Sequence, residues 1–484
     1  MKLPKTFDLP RFPWDTLAEV TALAQAHPDG AVDLTIGSPA DSVAAPTQQA
    51  LAESADAHGY PPAVGAPELR EAIVEFMRET RGVDGLAPDD VVLTIGSKEL
   101  VASLAFQLGI GAGDALGFPE VAYPTYEVGA ILAGAKALRL PEDPKSWPGR
   151  PAKKGQGEML GETGRKPQME SPKLWPTGES GRDVGAAMDS LPEGFIKDVD
   201  EKHEGRSTSA HSSPIPRLVW LNSPGNPNGH AYSVAELREA VAWARANRAI
   251  LVADECYALL DWEGAPRGTG FGTPSLLDES VTDGNLEGLL VTHSLSKQNN
   301  LAGYRAAWIC GDPELVAGLR EVRKHWGLMV PGPVQAATRV ALADVETPRR
   351  QKEIYRTRRE KLMAACEAAG LEIDSQSVAG LYLWVKAGEN GLSSGYAGGQ
   401  TLAAALPSVV TPQRSDPPAA PGRSDPPAAP GLSATPGREL ARWFAERGIR
   451  VAPGDFYGPA GAEYVRISLT AQDEDIDKAC KRLA

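Results

Sequence analysis

Four cysteines in 484 residues are few, and Cys256, Cys310, Cys366 and Cys480 stand far apart. No pair has metal-ligand spacing, so no metal site is expected, and reduced thiols in a cytoplasmic protein are the natural state. Long apolar runs are missing too: no window approaches the roughly 18 residues a membrane span requires. Residues 1–14 carry charges and prolines but no apolar stretch, so they are not expected to act as a secretory signal peptide. Nor is there a basic excess. Against 49 Lys and Arg stand 63 Asp and Glu, a formal charge of −14. Nucleic-acid binding needs a basic patch, and an acidic balance mainly favours solubility. The expectation is a soluble, cytoplasmic protein with no nucleic-acid or membrane partner.

What is abundant is glycine and proline, 50 and 41 residues, and they are unevenly spread. The stretch from about 143 to 213 is polar and aperiodic through much of its length. A second, about 390–436, contains Arg414-Ser415-Asp416-Pro417-Pro418-Ala419-Ala420-Pro421-Gly422 followed by the same residues again from Arg423 to Gly431. Such composition buries too little apolar surface to offset the entropy of ordering, so both read as disordered surface insertions. Elsewhere strands and helices alternate. Asp15 reads as the cap of a first helix reaching about His27, and residues 31–36 as a strand. Apolar strands are expected at 91–94, 115–118, 217–221, 249–253 and 289–293. Helices are expected at 68–81, 97–108, 126–134, 234–247, 350–369 and 437–447, with short strands at 450–453 and 464–468. Continuous apolar strands alternating with helices indicate an α/β protein whose mostly parallel sheet is covered on both faces. The polar motifs sit at the C-terminal ends of those strands, where open α/β sheets bind ligands.

Those motifs point to one chemistry. In Ser294-Leu295-Ser296-Lys297-Gln298-Asn299-Asn300-Leu301-Ala302-Gly303-Tyr304-Arg305 two hydroxyls precede a lysine and an arginine follows. An ε-amine can condense with an aldehyde cofactor, and Ser294 and Arg305 can share one phosphate, arginine through its two-pronged fork. Asp254 ends an apolar strand; a carboxylate buried there needs a partner, and a protonated pyridine nitrogen is one. Tyr257 and Asn226 can both donate to the ring's phenolic oxygen. Ser97 and Lys98, in the turn Gly96-Ser97-Lys98, stand where a helix N-terminus suits a phosphate. Tyr123 can stack on a ring. Arg466, inside a short apolar strand, needs an anion, and a substrate carboxylate answers. These are the parts of a site for pyridoxal 5'-phosphate, with Lys297 catalytic.

With these residues in hand, the chain resembles the fold-type I (class I/II) pyridoxal phosphate-dependent aminotransferases over nearly all its length outside the two insertions. The resemblance implies a mostly parallel, seven-stranded-type sheet in a large domain at 45–330. It also implies a smaller α+β domain formed by 1–44 and 331–484. It implies a homodimer with two shared active sites, in which Tyr60 of Gly59-Tyr60-Pro61 reaches the other subunit's cofactor phosphate. Gly37 corresponds to the backbone contact with the substrate carboxylate, and Arg466 to its arginine partner. One departure is Asn228, where the family usually has threonine in its Asn-Pro-Thr-Gly turn; little effect is expected.

A narrower resemblance rests on Gly96-Ser97-Lys98-Glu99-Leu100-Val101, the stretch from Ser294 to Arg305, Gly327-Leu328-Met329-Val330-Pro331, Gly380-Leu381-Tyr382-Leu383-Trp384 and Val451-Ala452-Pro453-Gly454-Asp455-Phe456-Tyr457-Gly458-Pro459. These look like the actinobacterial N-succinyldiaminopimelate aminotransferases. That resemblance implies transamination between N-succinyl-L,L-diaminopimelate and 2-oxoglutarate, with glutamate as the paired amino acid, on the way to diaminopimelate and lysine. The distal carboxylate of such a substrate needs a cation, and Lys98, Arg323 and Lys324 are candidates. The alternatives are another class I/II aminotransferase, for aspartate, alanine or aromatic amino acids, and a pyridoxal phosphate C–S β-lyase on the same fold.

Overall fold

The computed structural model describes residues 7–149, 214–388 and 435–484. The repeat at 414–431 and most of both stretches read as disordered lie outside the described residues. The start of the first stretch is among the described residues, and it corrects the reading from composition. Residues 143–149 are ordered: a short turn at Pro144–Ser146 leads to Trp147, 4% exposed, whose indole sits edge-on to Trp243 at 5.1 Å. Each indole N–H also finds a carbonyl, Trp147 that of Pro141 at 2.9 Å and Trp243 that of Pro148 at 2.7 Å. One buried tryptophan outweighed the polar residues around it.

Seven strands form the large sheet in the spatial order Val91–Ile95, Ala306–Gly311, Leu289–Ser294, Ile250–Asp254, Leu218–Asn222, Ala115–Pro119, Lys136–Leu140. All run the same way except Ala306–Gly311, which is antiparallel to both neighbours. Side chains of a strand alternate between faces, and two cores result. Leu93, Leu221, Leu251, Leu289, Val291 and Trp308 face one way and pack on helices Pro67–Arg81 and Val234–Asn247. Val92, Leu116, Trp220, Val252, Leu290 and Ile309 face the other and pack on helices Gly96–Gln107, Thr125–Ala133 and Pro313–Trp326. Each fully buried aliphatic side chain contributes about 1.5–3 kcal/mol. That is why the strands are apolar on both faces rather than alternating with polar residues.

A second, antiparallel sheet has the order Ala452–Pro453, Tyr464–Ser468, Tyr382–Ala387, Leu371–Ile373. It buries its apolar face with helices Glu346–Ala368, Pro436–Glu446 and Asp473–Leu483. Three local expectations change. Asp15 lies inside a 3-10 turn, Pro13–Thr16, and helix Ala18–Gln25 begins after Leu17 without a side-chain cap. The strand expected at 31–36 shrinks to Val32–Asp33, paired in parallel with Ile449–Arg450. The strand expected at 450–453 divides between two sheets, because Ile449–Arg450 and Ala452–Pro453 pair with different partners. No helix among the described residues is long and apolar enough to cross a membrane.

Because Trp147 fills space between the sheet edge and helix Val234–Asn247, Trp147→Ala should lower stability by about 3 kcal/mol. Chemical denaturation read by fluorescence checks this; a change below about 0.5 kcal/mol would show that the indole does not anchor this edge.

Candidate functional site

The large sheet's register brings the motifs together. Asn222 pairs with Asp254, and Asp254 with Thr292, so the strand ends carrying Asn222, Asp254 and Ser294 lie side by side. The reversed strand starts at the same edge: Ala307 pairs with Ser294 and Ala306 with Ile95. Arg305, just ahead of it, therefore meets Gly96 at the start of helix Gly96–Gln107. Above this edge is a cavity of about 490 Å³, lined among others by Gly37, Ser97, Tyr123, Asn226, Asp254, Tyr257, Lys297, Arg305 and Arg466. Lys98 and Ser294 line it as well. Of the expected site residues only Tyr60 does not; it is 94% exposed on the surface.

Asp254 is 7% exposed and accepts from the Tyr126 hydroxyl at 3.2 Å and from the Cys256 N–H at 3.2 Å. Burial raises its carboxyl above the ordinary carboxylate range; hydrogen bonds and the Lys297 charge pull it part of the way back. Its neighbour shows the contrast. Glu255 points away from the cavity and holds Arg81 at 2.9 Å, both fully buried, with further bonds from Ser275 at 3.0 Å and the Leu276 N–H at 2.8 Å. Glu255 has its cation inside the protein. Asp254 has none within ion-pair distance among the described residues.

Arg466 is the mirror image. It is 2% exposed and donates to Asn226 Oδ1 at 2.8 Å and to the Thr35 carbonyl at 2.5 Å. Its guanidinium lies 4.0 Å from the Tyr382 ring centroid and 5.1 Å from that of Tyr457. Its Nε has no partner, and no carboxylate among the described residues pairs with it. An internal salt bridge does not account for this arginine.

The edge beside helix Gly96–Gln107 is built on a close approach. Gly96 has φ +73°, and a Cβ there would fall 1.9 Å from Arg305 Nη2. Glycine lets the guanidinium lie against the backbone beside the helix N-terminus. Arg305 itself has φ 57° and donates to the Ala302 carbonyl at 2.7 Å. Ser294 is more occupied than expected. Its oxygen lies 2.7 Å from Ser296 Oγ and 3.0 Å from the Ala306 carbonyl and accepts from the Ser296 N–H at 3.1 Å, so its one proton has acceptors inside the protein. Lys297 Nζ donates to the Gly37 carbonyl at 2.5 Å. Asn228, the departure from the family's usual turn, ties that turn down by donating to the Glu142 carboxylate.

Of the three cations considered for a distal carboxylate, Arg323 is fully buried and grips Glu99 with both prongs at 3.0 and 3.1 Å. Lys324 is exposed and pairs with Glu321. Neither lines the cavity. Lys98 does, with Nζ 5.6 Å from the Tyr123 ring centroid and 5.8 Å from that of Phe12. Phe12, Trp14, Tyr126, Ser296 and Tyr382 also line it and had no assigned role. For Phe12 and Trp14 the available signal in the sequence was a pair of aromatics interleaved with prolines.

The sequence pattern described as aminotransferase class I and II matches residues 20–149 and 192–483. The chain belongs to this family. A probable aminotransferase of Mycobacterium tuberculosis is 39% identical over 98% of this chain and 85% of its own. The 4-dedimethylamino-4-oxo-anhydrotetracycline transaminase of Streptomyces rimosus is 38% identical over 98% of this chain and 99% of its own. The solved structure of a probable N-succinyldiaminopimelate aminotransferase from Thermus thermophilus superposes with a TM-score of 0.65 at 23% identity, over 97% of this chain and 98% of that one. The last shows the fold.

The cofactor of this aminotransferase is pyridoxal 5'-phosphate. The residues fit it. A buried carboxylate without a cation suits the ring nitrogen, the Gly96–Arg305 cradle suits the phosphate, and Lys297 supplies the amine. Two outcomes follow. With Asp254 raised by burial, the folded state holds a proton that the unfolded state releases, so this group costs stability as pH rises through its folded value. Asp254→Asn should therefore leave the cofactor-free protein at pH 8 at least as heat-stable as wild type, yet weaken pyridoxal phosphate binding by about a hundredfold, seen by absorbance titration. Gly96→Ala should displace Arg305 and weaken binding by at least about tenfold; unchanged affinity would mean the cradle does not hold the phosphate.

Proposed function

We propose that this aminotransferase interconverts N-succinyl-L,L-diaminopimelate and its keto acid, with 2-oxoglutarate and glutamate as the paired substrates, in lysine biosynthesis. We place it in the cytoplasm as a homodimer. The observation that carries the substrate reading is the division of labour among the cavity's cations. Lys297, Arg305 and Arg466 each have a task at the aldehyde, the phosphate and the α-carboxylate, which leaves Lys98 for a distal carboxylate. The exposed Tyr60 is consistent with a partner subunit covering it.

Bound pyridoxal phosphate supplies an electron sink that stabilises negative charge at the substrate Cα. Lys297 moves the proton, taking it from Cα and returning it to the cofactor's C4′ carbon; general base catalysis of this kind contributes ~10²–10⁴-fold. Asp254 keeps the ring nitrogen charged. Tyr257, whose hydroxyl burial keeps protonated well above the ordinary range, donates with Asn226 to the phenolic oxygen. Arg466 and the Gly37 backbone orient the α-carboxylate so that Cα faces Lys297.

A second reading has its own observation. Phe12 and Trp14 stack at 5.2 Å near the cavity mouth, a surface suited to a flat polycyclic ketone such as the one named for the Streptomyces rimosus relative. Absorbance of the loaded protein separates the two. Loss of the visible band on adding N-succinyl-L,L-diaminopimelate, with recovery on adding 2-oxoglutarate, supports the lysine-pathway reading. A band that ignores this compound and responds to another amine discards it. Lys297→Ala should abolish turnover, and Lys98→Gln should raise KM for the dicarboxylic amine about tenfold while sparing L-alanine.

A further inference from the structure

Tyr382 stands where four parts of the site meet. It is 3% exposed, at the start of strand Tyr382–Ala387. Its hydroxyl lies 3.3 Å from that of Tyr257, and the two rings are edge-on with centroids 5.9 Å apart. Its face carries the Arg466 guanidinium at 4.0 Å. A Cβ on Gly37 would fall 1.9 Å from its hydroxyl oxygen, so Gly37, whose carbonyl holds Lys297, is pressed against the same group. Phenylalanine would fill the same space and support Arg466 equally well. The hydroxyl is the part that packing does not require.

We infer that Tyr382 is a positioning residue with two separable tasks: its hydroxyl donates to Tyr257, and its ring holds Arg466. This rests on the roles proposed above for Tyr257 and Arg466. A phenol has one proton. When Tyr257 gives its own to the cofactor's phenolic oxygen, Tyr382 is the donor between the two, and a hydrogen bond received by Tyr257 strengthens the one it gives. A carboxylate arriving at Arg466 draws on the cation that Tyr382 supports, so substrate binding reaches Tyr257 through one side chain. Among the described residues, the other titratable groups around the pair are Asp254, Cys256 and Lys297 at or just beyond the strand ends, Arg466 from the second sheet, Tyr457 from the turn Gly454–Tyr457, and Tyr355 from helix Glu346–Ala368.

The test uses the full chain loaded with pyridoxal phosphate and four variants: Tyr257→Phe, Tyr382→Phe, the double change, and Tyr382→Leu. The first readout is the pH midpoint of the visible absorbance change. Donation to the phenolic oxygen favours its deprotonated form, so Tyr257→Phe should raise the midpoint. Tyr382→Phe should raise it by less, on the order of half a unit, and should add nothing in the double variant. The second readout is kinetic. Tyr382→Phe should keep KM for L-glutamate within about twofold, whereas Tyr382→Leu should raise it about tenfold with a smaller change in kcat. If Tyr257→Phe moves the midpoint and Tyr382→Phe does not, or if the two shifts add, the hydroxyl's task is refuted and the functional reading survives. If neither moves it, the role of Tyr257 fails first, and the inference with it.

Discussion

Two unbalanced buried charges organise this protein. Asp254 has no cation within ion-pair distance among the described residues, and Arg466 has no carboxylate. Both line one cavity of about 490 Å³. Burying a lone charge is costly, several kcal/mol per ion even after relaxation. The fold solves that problem in the ordinary way one residue from Asp254, where Glu255 closes on Arg81 at 2.9 Å. Leaving Asp254 and Arg466 unpaired fits the proposed function, in which a ligand of opposite sign completes each charge. A cofactor that completes Asp254 then also favours the folded state by mass action.

The large sheet's one reversed strand makes the rest possible. In a wholly parallel sheet every strand would bring its C-terminal end to the cavity and its N-terminal end to the far side. Ala306–Gly311 runs the other way, so its start stands at the cavity edge, and Arg305 arrives there directly after the lysine motif. The same pairing puts Gly96 against Arg305. The Lys297 amine, the Arg305 guanidinium and the helix N-terminus at Gly96 are thus placed by register alone, without a long loop whose ordering would cost entropy.

Much of this is legible in the amino-acid sequence, and what is not has physical causes. The strands buried on both faces stand out as apolar runs, and the polar residues at their ends mark the cavity's rim. The helix expected at 234–247 matches Val234–Asn247 to the residue, and the structure shows a sharp start there, a capping box between Ser233 and Glu236. The reversed strand was not read: the run Ala306–Gly311 looks like any other buried strand, and direction is a property of pairing. Trp147 was lost in a polar segment because composition averages over neighbours while packing does not. Arg323 seemed available beside Lys98 because sequence shows charge but not the partner Glu99, which comes from a different helix. Tyr382 was visible only as part of a motif, since its position depends on Gly37, Tyr257 and Arg466, all remote in sequence.

The cavity draws on segments from both ends of the chain, so it exists only when the two sheets are assembled. That makes the points where the two long stretches join consequential. Gly149 and the residues that follow position 213 stand at one place: a Cβ on Gly149 would fall 2.9 Å from Ile215 Cδ1. Strand Leu218–Asn222 begins just beyond and reaches the cavity only at its other end, about 15 Å away at ~3.3 Å per residue. Residues 389–434 follow strand Tyr382–Ala387, again at the end opposite Tyr382, and rejoin at Thr435, which caps helix Pro436–Glu446. Both junctions therefore sit a strand's length from the reacting groups. A chain can lengthen there at a small closure cost, growing only with the logarithm of the added length, without moving Lys297, Asp254 or Arg466.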